Sequence, residues 1–333
     1  MVQDKKRRIG LRGWALRAVA VALLGGGGGV APASAAAKGA KVILLTVSQS
    51  CEYCALHERA FVKAAQADGI KVEVKINNFD AGQQASQVDQ AIAERPDAIV
   101  VWPADASAIV PSLRRIKKAG IPLVVTNSMP NAKYQSLWNI YTGPNDFGNG
   151  QQAGEAMAQG LKAKGYTDNA NLFAILGVLG TPPQIDRLNG FEQVLKAQAP
   201  TAKIDGSQPG NWDQTQATDA AAALFTQYGS RIKGVYAEAD NMLAGVIVAA
   251  QRAGLDPKKL VLVGSNCSVE GVNAITAGTQ YATVLQSPID DGNYAAQAVA
   301  DLLDGKAVPK TRYLPHPTVT AANVSICNAA IGR

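Results

Sequence analysis

KVILLTVSQSCEYCALHERAFVKAAQADGIKVEVKI, residues 41–76, is the stretch that decides the fold. Residues 42–47 form a short apolar, β-branched run and read as a strand. Residues 55–68 are rich in alanine and long side chains, read as a helix, and stop at Gly69. Residues 72–76 return to a strand. A strand, a helix and a second strand in this short space make a βαβ unit. Working outward, helices are predicted over 83–93 and 109–119 and strands over 98–102 and 123–126. Each strand run is apolar on both faces, which is the pattern of a parallel sheet covered by helices on both sides.

After Tyr141 the cycle restarts. Helices are predicted over 148–161, 185–198, 215–228, 242–253, 271–277 and 292–303. Strands are predicted over 172–176, 234–237, 260–263 and 281–286. So many strands exceed one open sheet of ordinary size. The chain of 333 residues is therefore expected to form two α/β domains, each a doubly wound parallel sheet. In such sheets a ligand lies outside the carboxyl ends of the strands, so two facing sheets would enclose a cleft.

The N-terminus has a different character. Lys5, Lys6, Arg7, Arg8, Arg12 and Arg17 precede or interrupt an apolar run, five glycines occupy 25–29, and Ala33-Ser34-Ala35 ends the segment. A basic head, a short apolar core and an Ala-x-Ala end are the marks of a secretory signal peptide, here residues 1–35, and the mature chain is expected to be exported. The net charge of +6 loses six bases and one acid with that leader, leaving 26 basic and 25 acidic residues. No basic run remains to support nucleic-acid binding.

Groups able to do chemistry are few. His57 and His316 are far apart and lack a metal-ligand spacing, so neither a metal nor a cofactor is expected. No phosphate-cradling, dinucleotide-binding or nucleophile-elbow glycine motif follows a strand. No catalytic residue is assigned. Cys51-Glu52-Tyr53-Cys54 follows a strand and opens a helix, the position of a redox Cys-x-x-Cys. It reads either as a structural disulfide or as the active pair of an exported thiol-disulfide oxidoreductase. With Cys267 and Cys327 there are four cysteines and three pairings.

Six short segments share one further property. They are Ala-Gly-Ile-Pro-Leu-Val-Val at 119–125, Arg-Leu-Asn-Gly-Phe at 187–191, Gly-Asn-Trp-Asp at 210–213, Ala-Asp-Asn-Met-Leu-Ala-Gly at 239–245, Val-Gly at 263–264 and Ala-Thr-Val-Leu-Gln-Ser-Pro at 282–288. In order and spacing they resemble the periplasmic sugar-binding proteins of ABC transporters, the ribose- and galactose-binding group, over residues ~40–325. The resemblance implies a type I periplasmic binding protein: two lobes joined by a three-strand hinge, 38–142 plus 288–315 and 143–287 plus 316–333. It implies a monomer that captures a small-molecule solute and passes it to a membrane permease, or alternatively feeds a chemoreceptor. A repressor with the same architecture would need a DNA-binding head where the leader stands.

The resemblance also implies a ligand set. Ser50, Glu52 and Tyr53 match the first loop, Trp102 the end of the third strand, and Asn127 and Ser128 the pair after the fourth. Arg187, Trp212, Ala239, Asp240 and Asn266 match positions in the second lobe, and Gln286 the hinge. Asn127 and Asn266 stand where the family carries acidic acceptors, Ser128 where it carries arginine, Ala239 where it carries asparagine, and Trp102 where it carries a polar residue. The site is thereby expected to take a smaller polyol, a modified sugar, or a less hydroxylated aromatic or carbonyl-bearing compound. Arg187 is expected to meet an anionic group or Glu52. Because a bond between lobes would block closure, the implied disulfides are Cys51–Cys54 and Cys267–Cys327.

Overall fold

The structure is a computed structural model and describes residues 37–49 and 51–332. The expected leader, residues 1–35, and Ser50 lie outside the described residues. The first sheet is entirely parallel, in the order β11-β5-β4-β3-β1-β2. Its strands are β1 (Lys41–Thr46), β2 (Lys71–Ile76), β3 (Ala98–Val101), β4 (Leu123–Thr126), β5 (Ile140–Gly143) and β11 (Thr311–Tyr313). The second sheet is also parallel, in the order β7-β6-β8-β9. It comprises β6 (Asn171–Leu176), β7 (Lys203–Pro209), β8 (Ile232–Ala237) and β9 (Val261–Val263). A small antiparallel pair joins β10 (Thr283–Val284) to β12 (Thr318–Val319).

Strand alternation builds a core on each face. Val42, Leu44, Val100 and Val124 pack against Phe61 of α1 (Glu52–Ala67) and Ala295, Ala296 and Val299 of α9 (Pro288–Leu303). Their neighbours Ile43, Leu45, Ile99 and Val101 point the other way, onto Val88 of α2 (Ala81–Glu94) and Leu113 and Ile116 of α3 (Val110–Lys118). In the second sheet, Phe173, Ile175, Val235 and Leu262 meet α6 (Gln214–Tyr228) and α7 (Asp240–Arg252). Leu172, Tyr236 and Val261 meet Met157 of α4 (Asp146–Ala163) and Phe191 of α5 (Pro182–Gln198). Period-two burial on both faces is what the apolar runs require. Side-chain caps set where helices begin: Asp80 accepts from the Gln83 N–H at 2.8 Å, and Ser287 accepts from the Asp290 N–H at 3.0 Å with Pro288 next.

Two close helix contacts place the functional residues. A methyl group at Gly190 would lie 2.1 Å from the Phe147 carbonyl oxygen, and one at Gly150 2.0 Å from that of Arg187, so α4 and α5 touch backbone to backbone. A methyl group at Gly292 would lie 2.3 Å from the His57 carbonyl oxygen, so α9 touches α1 in the same way.

The strand expected over 281–286 is shorter. It becomes β10 together with single bridges from Ala282 to Val263 and from Leu285 to Asn266. Strands β5, β7, β11 and β12 are additions to the expected set. β7 reads Lys-Ile-Asp-Gly-Ser-Gln-Pro on an open edge, and β11 and β12 are three and two residues long, so none carries an apolar run.

Candidate functional site

The residues of interest collect at the carboxyl ends of the two sheets. On the first sheet, Trp102 follows β3 and is 5% exposed. Its ring stands edge-on to Tyr53 at 6.0 Å and to His57 at 4.9 Å. The Cys51–Cys54 disulfide packs into this group beside Val47 and Trp102, and the Cys51 sulfur accepts from the Cys54 N–H at 3.2 Å, capping α1. Gln84 fixes the Trp102 backbone by donating to its carbonyl at 2.8 Å.

Asn127 follows β4 in a left-handed conformation (φ 60°), which asparagine tolerates better than most residues. Its N–H donates to the Thr142 carbonyl at 3.0 Å, and its own carbonyl accepts from the Tyr141 hydroxyl at 2.7 Å. Its Nδ2 donates to Asp291 Oδ2 at 2.8 Å, and the Tyr53 hydroxyl donates to the same oxygen at 3.1 Å. Burial pushes Asp291 up to about 7 against those hydrogen bonds. His57 is buried beside Thr126 (Nε2 to Oγ1, 3.1 Å) and burial lowers it to about 3, so it is neutral. Ser128 is half-buried next to this group.

On the second sheet, Arg187 projects from α5 and is 4% exposed. Nε donates to Asp146 Oδ1 at 2.8 Å, Nη1 to the Glu238 carbonyl at 2.7 Å and Nη2 to Gln286 Oε1 at 2.7 Å. The guanidinium lies 5.4 Å from the Trp212 ring centroid. Trp212 has a left-handed backbone (φ 62°), its carbonyl accepts from Asn241 Nδ2 at 2.8 Å, and its ring covers Gly177. Glu238 follows β8; its Oε2 accepts from the Gly177 N–H at 2.6 Å, while Oε1 is buried without a partner. Burial pushes Glu238 up to about 8, although Gly177 and Arg187 pull it down. Asn266, half-buried, also keeps a buried, unpartnered Oδ1.

The two halves sense each other. Burial first, and the Asp291 charge second, hold the Tyr53 phenol well above its ordinary value, while Gln286 and Arg187 oppose them. Glu52 is exposed, and it is raised by partial burial and by the Glu270 charge on α8 (Val269–Thr276). Of the partners the resemblance offered Arg187, an anionic group or Glu52 across a closed cleft, the structure shows Arg187 paired with the carboxylate of Asp146 on the adjoining helix α4.

Two members of the expected set face inward. Ala239 is buried in the core under α6 and α7. Asp240 is fully buried and accepts from Gln280 Nε2 at 2.8 Å, Thr283 Oγ1 at 2.8 Å and the Ser268 N–H at 3.1 Å. Both of its oxygens are used to hold α7, α8 and β10 together. Asp146, Glu238 and Asp291 were not in the expected set. Glu238 had a readable signal, an acid directly after an apolar strand. Asp291 had none, because its partners are 164 and 238 residues away. Among the described residues the buried charged groups are the carboxylates Asp146, Glu238, Asp240 and Asp291 and the single guanidinium of Arg187. The second disulfide joins Cys267 to Cys327, so both pairs implied by the resemblance are present. No described helix is long and apolar enough to cross a membrane.

A model of the periplasmic binding protein domain matches residues 34–307. The chain is 30% identical over 294 residues to a xylitol-binding protein of Mycolicibacterium smegmatis, covering 88% of this chain and 81% of that one. It is 25% identical over 246 residues to a ribose import binding protein of Haemophilus influenzae, covering 74% and 80%. Among solved structures, the binding component of the arabinose ABC transporter of Shewanella, with bound L-arabinofuranose, superposes with a TM-score of 0.78 at 25% identity, over 86% of this chain and 93% of that one. A galactofuranose-binding protein shares the fold with a TM-score of 0.80 at 23% identity, over 86% and 97%.

Proposed function

The chain belongs to the periplasmic binding protein domain family, and we propose that it captures a small sugar or polyol between the carboxyl ends of its two sheets and delivers it to an ABC permease. The observation that carries the reading is that Tyr53, packed on Trp102 at the end of one sheet, lies within reach of Gln286 and of the Arg187 charge, which sits by Trp212 at the end of the other. Aromatic faces stack on the apolar faces of a sugar ring or polyol, and directed polar groups take its hydroxyls. The relatives' roles favour this over thiol exchange, and so does the packing of the Cys51–Cys54 bond among Val47, Tyr53 and Trp102.

The proposed working form is a monomer exported by a leader cleaved after Ala35. Its lobes are residues 38–142 plus 288–315 and 143–287 plus 316–333. In support, β11 pairs with β5, α9 packs on β3, β4 and β5, and β12 pairs with β10. A solute touching both lobes favours the closed state by its differential affinity. Titration calorimetry of residues 36–333 with xylitol, D-ribose, L-arabinose and myo-inositol tests the reading. A saturable one-to-one isotherm with at least one of them is expected. No heat and no thermal shift with any sugar or polyol would sink it.

A further inference from the structure

Asp291 is a buried carboxylate on α9 that reaches the site only through other side chains. It is 0% exposed, and three donors converge on it: Asn127 Nδ2 at 2.8 Å, the Tyr53 hydroxyl at 3.1 Å and the Thr126 hydroxyl at 3.5 Å. All three donors belong to the cleft end of the first sheet, on α1 and at the end of β4. The contact of Gly292 with the His57 backbone brings α9 close enough for this, in the helical turn that carries Asp291. An ionised carboxylate can only accept hydrogen bonds, whereas an amide presents a donor at one end and an acceptor at the other. With Nδ2 committed to Asp291, the Asn127 amide has one orientation. Its Oδ1 accepts nothing from the described residues, and the residue keeps 7% exposure.

We propose that Asp291 is a positioning residue that sets the polarity of the site: it turns Asn127 so that an acceptor faces the solute, and it holds Tyr53 in the same grip. The other half of the site has the same polarity. Asn266 Oδ1 is a buried acceptor without a partner, and Glu238 Oε1, also buried and unpartnered, joins it when that carboxyl is ionised. Arg187, the one buried cation there, already spends three nitrogens on Asp146, Glu238 and Gln286. The solute therefore has to bring a donor to Asn127 on the first sheet and to Asn266 on the second. Hydroxyl protons on both edges of a polyol, or an ammonium group on an amino-polyol, fit; a keto or carboxylate group facing Asn127 does not. This inference rests on the sugar or polyol reading above for its ligand, and on the Asp291 geometry alone for its polarity.

The test has a binding arm and a ligand-free arm. In the first, xylitol is titrated into wild type, Asp291→Asn, Asn127→Asp and the double variant. Asp291→Asn removes the constraint on the amide, and a fivefold or greater loss is expected with the fold retained. Asn127→Asp sets two carboxylates within hydrogen-bonding distance, and a loss above tenfold is expected. The double variant restores one donor and one carboxylate across the same contact and is expected to recover to within about fivefold of wild type. Recovery is a result that a merely structural role for Asp291 would not give. Unchanged affinity in Asp291→Asn, or no recovery in the double variant, would overturn the proposal.

The second arm needs no solute. The Asn127 side-chain NH₂ signals in ¹⁵N spectra, assigned from their loss in Asn127→Asp, are expected to move in Asp291→Asn and to titrate together with the Asp291 carboxyl. An NH₂ pair indifferent to both would overturn the proposal. If xylitol does not bind wild type but the NH₂ signals behave as expected, the polarity stands and the choice of ligand fails.

Discussion

The Arg187 guanidinium donates from Nη2 to Gln286 Oε1 at 2.7 Å, which ties α5 to the segment running from β10 into α9. The same guanidinium is paired with Asp146, which is 8% exposed. Arg187→Ala would leave that carboxylate buried without its cation, a loss of about 3–5 kcal/mol for a broken buried pair. The variant is expected to bind at least tenfold more weakly and to melt well below wild type. Calorimetric affinity and the thermal midpoint check the two effects separately, and an unchanged dissociation constant would remove Arg187 from the site.

Gly177 is where the Trp212 ring and the Glu238 carboxylate meet. A methyl group there would sit 1.9 Å from Trp212 Cζ2, so Gly177→Ala has to push the ring off its seat. The expected result is a tenfold or greater loss of affinity with a shifted tryptophan emission, and a smaller stability loss than for Arg187→Ala. Wild-type emission and affinity would show that the ring position does not matter to the solute.

Stability should fall as pH rises from about 4.5 to about 8. Burial holds Asp240 and Asp291 at about 7 and Glu238 at about 8, while the unfolded chain releases these protons near the ordinary values of 3.8 and 4.5. The folded state therefore binds more protons across that window, and each group still protonated in the folded chain but ionised in the unfolded one costs up to ~1.4 kcal/mol per pH unit. Below 6.5, His57 works the other way: it stays neutral in the folded chain down to about 3 but takes a proton when unfolded. The thermal midpoint is expected to decline from about pH 4.5, where three carboxyls outweigh the single His57, and to level off above about pH 8, with Glu238→Gln shallowing the decline at its alkaline end. A midpoint that rises with pH across the window would contradict the assignment.

The two disulfides should differ in weight. Cys267–Cys327 closes a separation of 60 residues, and Cys51–Cys54 one of 3. Loop entropy then gives about 4 kcal/mol for the first and about 2 kcal/mol for the second. Replacing the first pair by serine should lower the denaturation midpoint more than replacing the second. The second replacement should register mainly in affinity, because that bond packs against Trp102 and Tyr53.

The βαβ cycles were legible because β1, β3, β4, β6 and β8 are fully apolar or nearly so and buried on both faces. The strands that stayed hidden are short or polar, and they exist because a neighbour offers an edge: β11 pairs with β5, and β7 with β6. The site was half legible. Trp102, Asn127, Arg187, Trp212 and Gln286 were expected only through the family resemblance, and the structure puts them near the carboxyl ends of the two sheets. Asp240 looked the same in sequence, yet Gln280 and Thr283, 40 and 43 residues on, claim its oxygens. Asp146 and Asp291 answer to partners that only the folded chain brings near, and no local pattern announces them.

The sixth strand of the first sheet comes from residues 311–313, and α9, one of its covering helices, from residues 288–303. A growing chain has made β1 to β5 long before either arrives. Until then the face of Val42, Leu44, Val100 and Val124 has no Ala295, Ala296 or Val299 to rest on, and β5 keeps an open edge. Contacts that span so much sequence are slow to form. The newly made polypeptide thus stays unfinished until nearly its last tenth is released, and during that interval a machine that threads linear chains can still take hold of it.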